Sequence, residues 1–339
     1  MVVFDDHELE ISVATYNRAD YIKVLLEKNY FDARNRNISF IISDSSPNDK
    51  TKTVVENFNK KFNANVIYRH FDKNTIIGYK PMLSIYASRS KYVWVSGDSR
   101  FLDFDEFDKK IFPYIKNDID YICFLDTYFN VKQDGVLSDK TEILHQFFIP
   151  STCIGCSIYK TSIFDFLKDP KEEKCLDDLF KDNYGFGWLG YFFTAFSKSD
   201  SYKAAFSKIK INNIADFLGV KKVQTWAKHF MGCWIDDLLN IMDNLPNCYQ
   251  RKELVLEETW NAMRLDSYHY LLVSRGGDLN RNTFKKYRRS GLISRITRHP
   301  IRMYLFANCP IILLTYAKIC YIRIKLVCSL AKKILNLKH

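Results

Sequence analysis

The sequence predicts an α/β fold, a parallel sheet with helices on both faces, followed by a basic helical region. Short apolar runs alternate with amphipathic helical patterns every few tens of residues through the first hundred positions. Three of those runs stop at polar or acidic residues, in Thr15-Tyr16-Asn17, at Asp44 and at Asp98. From Leu279 to His339 there are 14 Lys or Arg and no Asp or Glu.

The first unit reads as strand, turn and helix. Leu9 to Ala14 is the apolar run, and Asp20 is placed to cap a helix through Tyr30, with Tyr21, Val24, Leu25 and Lys28 at helical spacing. A second unit repeats the pattern: strand Ile38 to Ser43 ends in Asp44-Ser45-Ser46-Pro47, and Asn48 or Asp49 caps a helix with Val54, Val55, Phe58 and Phe62. Val66 to Tyr68 is a third strand, Lys80 to Ala87 a helix, and Tyr92 to Ser96 a buried strand stopping at Gly97-Asp98-Ser99-Arg100. In sheets of this kind ligands bind beyond the carboxyl ends of the strands. All three motifs lie at such ends.

Residues 9 to 105, with these three segments in this order, resemble the amino-terminal half of a family 2 glycosyltransferase with the GT-A fold, whose sheet is mixed but mainly parallel. The resemblance implies that Tyr16 lies against a nucleotide base, Thr15 and Asn17 offer polar groups beside it, Asp44 accepts a hydrogen bond from the base, and Asp98 begins the diphosphate segment. The chemistry is sound by itself, because a carboxylate accepts a base N–H and an aromatic face stacks on the ring. In the third motif this chain departs from the family's Gly-Asp-x-Asp pattern: Arg100 stands where the metal-binding carboxylate is expected. Hard cations such as Mg²⁺ or Mn²⁺ want carboxylate oxygens. Three readings follow: Arg100 partly replaces the metal, a metal is held by Asp98 with Asp103 or Asp105 and the nucleotide, or the site is catalytically dead.

The acceptor side should follow in residues 120 to 275, completing a catalytic domain over 1 to 275. Tyr121 to Leu125 and Cys153 to Tyr159 read as further strands, and Leu254 to Val273 as a helix. An inverting transfer needs a base near the acceptor hydroxyl. By loose resemblance to an acidic pair opening a helix, Asp177 and Asp178 are the candidates; the same pair also reads as helpful charge in a helix's first turn. Gly185 to Gly190 offers close backbone approach and the Trp188 ring for a sugar face, or small-residue helix packing. Trp226, His229 and Trp234 share that ambiguity, with His229 read as structural. Cys153-Ile154-Gly155-Cys156 has no second pair, so zinc is not expected.

Composition allows a substantial core, with 47% hydrophobic and 15% aromatic residues. Met1 to Glu10 carries Asp5, Asp6, Glu8 and Glu10 where a signal peptide has a basic start and an apolar stretch, so a cytoplasmic chain is expected. Outside the tail, 36 basic residues face 39 acidic ones, so the net charge of +11 is made of +14 from residues 279 to 339 and −3 from the rest. Within that tail Met303 to Ala317 is uncharged but broken by Asn308 and Pro310, and falls short of the roughly 20 residues that span a bilayer. Lys318, Lys325 and Lys332 recur at helical spacing, with Ile311, Leu314, Ile319, Ile322, Leu326, Leu330 and Ile334 supplying apolar surface. This predicts a peripheral helix on the anionic inner face of the cell membrane. Packing onto the body or a partner is the other reading; nucleic acid is not expected, since no binding module accompanies the basic run.

The expectation is therefore an inverting transferase moving a sugar, most simply from a UDP-sugar, to a hydroxyl of a surface polysaccharide such as a capsule or exopolysaccharide, on a polyprenyl-linked acceptor. The alternative is an inactive GT-A subunit that recruits a partner glycosyltransferase to the membrane.

Overall fold

A computed structural model describes residues 2–339 except 73, 125–134, 210, 215–217, 219–228, 266, 276, 298–299, 311, 315 and 317–339. By internal contacts the chain forms two units, Met1–Val223 with Asp236–Val255, and Gln224–Ile235 with Leu256–His339. Trp226 and the expected lysine-bearing helix beyond Tyr316 lie outside the described residues.

The first unit is built on one mixed sheet of eight strands. Four are parallel neighbours: β3 (Ile67–His70), β2 (Ser39–Asp44), β1 (Leu9–Thr15) and β4 (Tyr92–Gly97). Next to β4 runs antiparallel β8 (Ser157–Lys160), then β6 (Tyr121–Phe124), β9 (Ala204–Ser207) and the edge strand β7 (Gly135–Leu137). β1 is central and covered on both faces: Leu9, Ile11 and Val13 are buried on one, and Glu10 and Ser12 on the other. A small ribbon pairs β5 (Arg100–Leu102) with β10 (Ile211–Asn213) antiparallel.

The helices follow their sequence signals with instructive departures. α1 (Ala19–Asn35) buries Ile22, Leu25, Leu26, Tyr30 and Ala33 on one face. Asp20 does not cap it; Arg18 is the N-cap residue and Asp20 lies in the first turn, where its charge still suits the helix dipole. α2 (Lys50–Phe62) and α3 (Lys80–Tyr86) form close to where they are expected, as does α4 (Phe104–Lys110), capped by Asp103 through the amides of Asp105 and Glu106.

Two expected elements change. Cys153 to Cys156 is a turn rather than the start of β8, with Gly155 at φ +102°, a conformation that favours glycine. The long helix expected from Leu254 to Val273 is two, Lys252–Met263 and Tyr268–Arg275, separated at Arg264 with φ 50°.

The second unit is helical. Phe230 meets Trp260 edge-on at 5.8 Å, and Leu271, Phe284, Tyr287, Ile293 and Met303 are buried with them. Asp278 accepts the amides of Met231 and Gly232 at 2.8 and 3.1 Å. The helix Arg281–Arg289 buries Phe284 and Tyr287 and carries Lys285, Lys286, Arg288 and Arg289. Ile301, Tyr304, Leu305, Ile312, Leu313 and Tyr316 are exposed. No helix among the described residues is long and apolar enough to cross a membrane.

Candidate active site

Strand register brings the three motifs together. Thr15 pairs with Asp44 across β1 and β2, and Ala14 pairs with Gly97 across β1 and β4, so Thr15, Asp44 and Asp98 share one edge of the sheet. Asp98 is buried with both carboxylate oxygens engaged: Oδ2 accepts from the Thr15 hydroxyl and Oδ1 from Arg18 Nη1, each at 2.8 Å. Asp44 is fully buried; Oδ1 accepts the Ser46 amide at 2.9 Å and its hydroxyl at 2.5 Å, while Oδ2 accepts from Tyr68 at 3.0 Å. Asn17 sits at φ 54°, donating its N–H to Ser46 Oγ at 2.7 Å. That backbone twist turns the chain away from β1. It leaves Tyr16 the exposed aromatic ring of the motif, at 48%.

Lys80, which the sequence reading did not single out, joins this group. Opening α3, it is only 7% exposed, and its ammonium lies 5.2 Å from the centre of the Tyr16 ring. Burial lowers its pKa, while the charges of Asp44 and Asp98 work to raise it. Burial likewise raises the Asp98 pKa against the opposing pull of Arg18, Thr15 and Lys80. Carboxylates and amine are thus concentrated in a poorly solvated space.

Arg100 points elsewhere. Its Nη1 donates to Cys156 Sγ at 2.9 Å, and the Cys153 and Cys156 sulfurs raise its pKa further. Cys153 in turn is held below the usual thiol range, first by a hydrogen bond from Cys156 and then by the Arg100 charge, whereas burial pushes Cys156 up. Among the described residues no group of three His, Cys, Asp or Glu could hold a metal ion. Asp103 is spent on capping α4, and Asp105 is an exposed residue 3.6 Å from Arg36.

The acidic pair Asp177-Asp178 sits at the opposite helix end from the one expected. α5 (Pro170–Phe180) is started by Asp169, which caps the Lys171 amide, and by Pro170 in the first turn, so Asp177 and Asp178 fall in the last turns. Asp178 is exposed and paired with Lys174 at 2.6 Å. Asp177 is turned inward, accepting from Tyr191 at 2.7 Å, Lys181 at 2.6 Å and Tyr79 at 3.5 Å. Tyr79 precedes Lys80, which links Asp177 to the group formed by Tyr16, Asp44 and Asp98.

The glycine-rich stretch is a packing device. Gly78 donates to the Tyr184 carbonyl and its own carbonyl accepts from Trp188, both at 2.9 Å. A Cβ on Gly78 would meet the Asn183 carbonyl at 2.2 Å, and one on Gly187 the Phe180 carbonyl at 2.4 Å. Trp188, opening α6 (Gly187–Ser197), is buried against Phe186, so its ring offers no face to a sugar. Holding the loop from beneath is Asp237, also missed in the sequence: Oδ1 accepts the Tyr184 amide at 3.1 Å and Oδ2 those of Gly185 and Phe186 at 2.5 and 3.2 Å.

Residues 10–164 match the family described as Glycosyl transferase family 2. The abequosyltransferase RfbV of Salmonella typhimurium is 24% identical over 135 residues, 40% of this chain and 36% of that protein, so the match spans about a third of that relative's length. The crystal structure of S. aureus TarS residues 1–349 is similar in fold, with a TM-score of 0.52 at 13% identity, covering 88% of this chain and 91% of that one. A longer TarS structure gives 0.50 at 14% identity, over 92% and 52%.

Proposed function

This chain is a family 2 glycosyltransferase with the GT-A fold, and from that premise we propose that it moves a sugar from a nucleoside diphosphate, most simply UDP, to a hydroxyl of a surface glycan, with inversion. One observation carries the reading: strand register sets Thr15, Asp44 and Asp98 on one sheet edge, with the exposed Tyr16 ring and the buried Lys80 ammonium beside them. Such an edge supplies a stacking face for a base, a carboxylate for its N–H and a cation for phosphate. Among the described residues Tyr68 is the one hydrogen-bond donor to Asp44 Oδ2, and an incoming uracil N–H would take its place there. Asp177, linked to the Lys80 segment through Tyr79, serves as proton acceptor for the attacking hydroxyl, whereas Asp178 lies out with Lys174. Direct displacement follows, with no covalent sugar on the enzyme.

Calorimetric titration with UDP, GDP and dTDP tests the reading. One nucleotide should bind, with Asp44→Ala weakening it by at least about 10-fold, the worth of a charge-assisted hydrogen bond. Failure of all three to bind, with or without Mn²⁺, would remove the nucleotide-sugar reading.

The second unit suits a peripheral position on the inner face of the membrane, next to a polyprenyl-linked acceptor. Exposed Ile301, Tyr304, Leu305, Ile312 and Leu313 stand in the acid-free region that also bears Arg288, Arg289 and Arg302, a combination suited to anionic lipid. The chain should pellet with vesicles containing anionic phospholipid and not with purely zwitterionic ones, and Ile301→Asp with Leu305→Asp should weaken pelleting. Equal binding to both vesicle types would contradict this. The alternative of an inactive recruiting subunit draws no support from the abequosyltransferase relative.

A further inference from the structure

The family's usual divalent cation does not fit the residues present. Both oxygens of Asp98 are engaged by Thr15 and Arg18, Ser99 and Arg100 follow it, and Arg100 is turned onto Cys156. A hard cation needs several oxygen ligands with carboxylates among them. Any ion near Asp98 would also meet two protein cations, Arg18 and Lys80.

Resting on the nucleotide reading of this site, we propose that the donor diphosphate is bound without a metal, with Lys80 meeting the phosphate oxygens and Arg18, fixed by Asp98, adding a second positive charge. Lys80 is more than nine-tenths buried and, among the described residues, makes no ion pair; its ammonium lies 5.2 Å from the centre of the Tyr16 ring. A buried ammonium without a hydrogen-bonded counter-ion is unfavourable, and an incoming diphosphate removes that imbalance. The surroundings agree: Asp44, the carboxylate assigned to the base, and Asp98, the one assigned to the diphosphate segment, both act on Lys80 electrostatically. Arg100 then has a different duty, tying the Gly97 to Arg100 segment to the Cys153 to Cys156 turn. As the leaving nucleotide departs, Lys80 and Arg18 stabilise the charge that develops on its phosphate.

Titrating the full chain with UDP and with uridine, in Mn²⁺ and in EDTA, separates the outcomes. UDP should bind equally in both buffers, Lys80→Met should weaken UDP about 30-fold without changing the affinity for uridine, and Lys80→Arg should restore most of it. Loss of UDP binding in EDTA, or unchanged UDP affinity in Lys80→Met, would overturn the metal-free assignment while leaving the nucleotide site intact. An equal loss of uridine and UDP in Lys80→Met would overturn it too, by showing that Lys80 acts through structure. Absence of binding by any nucleotide in either buffer would instead reject the site itself.

Discussion

Replacing Asp98 with Asn is expected to lower sugar transfer by about 100-fold or more while leaving the melting temperature nearly unchanged. The separation arises because Asp98 is a costly group to keep. Burial raises its pKa in spite of Arg18, Thr15 and Lys80, so its charged form is disfavoured in the folded chain. A neutral Asn of the same shape keeps an oxygen for Thr15 and removes that penalty, and this offsets the lost attraction to Arg18, whose side chain is one-third exposed and stays hydrated. It also releases Arg18, whose guanidinium is 2.8 Å from Asp98, and leaves Lys80 with one opposing charge fewer. Catalysis suffers because those cations lose their orientation. Steady-state kinetics with thermal melting checks the pair of outcomes; a large fall in melting temperature would mean that Asp98 is chiefly structural.

Asp237→Ala should be the most destabilising of the substitutions considered, costing roughly 3 kcal/mol or more. Three amides, from Tyr184, Gly185 and Phe186, would lose their acceptor, and the carboxylate is only 4% exposed. At about 2–4 °C per kcal/mol for a unit of this size, the melting temperature should drop by around 10 °C. Asp237 also carries a pH signature. Burial pushes its pKa to about 6, against the lowering effect of those amides. A folded-state value above the unfolded one means extra stability below about pH 4, lost progressively as pH rises through about 6. Wild-type melting temperature should show that decline and Asp237→Asn should lack it. An Asp237→Ala protein melting with the wild type would disprove the role of the clamp.

The nucleotide half was legible because its signals are local. Apolar runs such as Ile11 to Ala14 and Tyr92 to Ser96 become strands wherever both faces are covered, and their polar endings mark the sheet edge. The family resemblance then named the edge. Lys80 escaped notice because a lysine opening an amphipathic helix ordinarily faces water, and only the fold reveals that this one is enclosed. Asp237 escaped because its partners are some fifty residues away, in a loop without periodicity. The misplaced acidic pair had a signal that could have been used: Asp169-Pro170 is a helix start, which puts Asp177 and Asp178 two turns further along. Trp188 looked available for a sugar because composition says nothing about which side of a ring is covered.

The two backbone bonds joining Gly78 to Tyr184 and Trp188 have a consequence for how the enzyme comes into being. The segment carrying Lys80 is fastened by residues more than a hundred positions later, and that loop is itself held by Asp237. A nascent chain that has just been extended to residue 164 already contains the whole stretch that matches the family, yet lacks the braces that hold its lysine in place. Ligand competence is therefore a late event of synthesis, arriving only when the Asp237 helix leaves the ribosome.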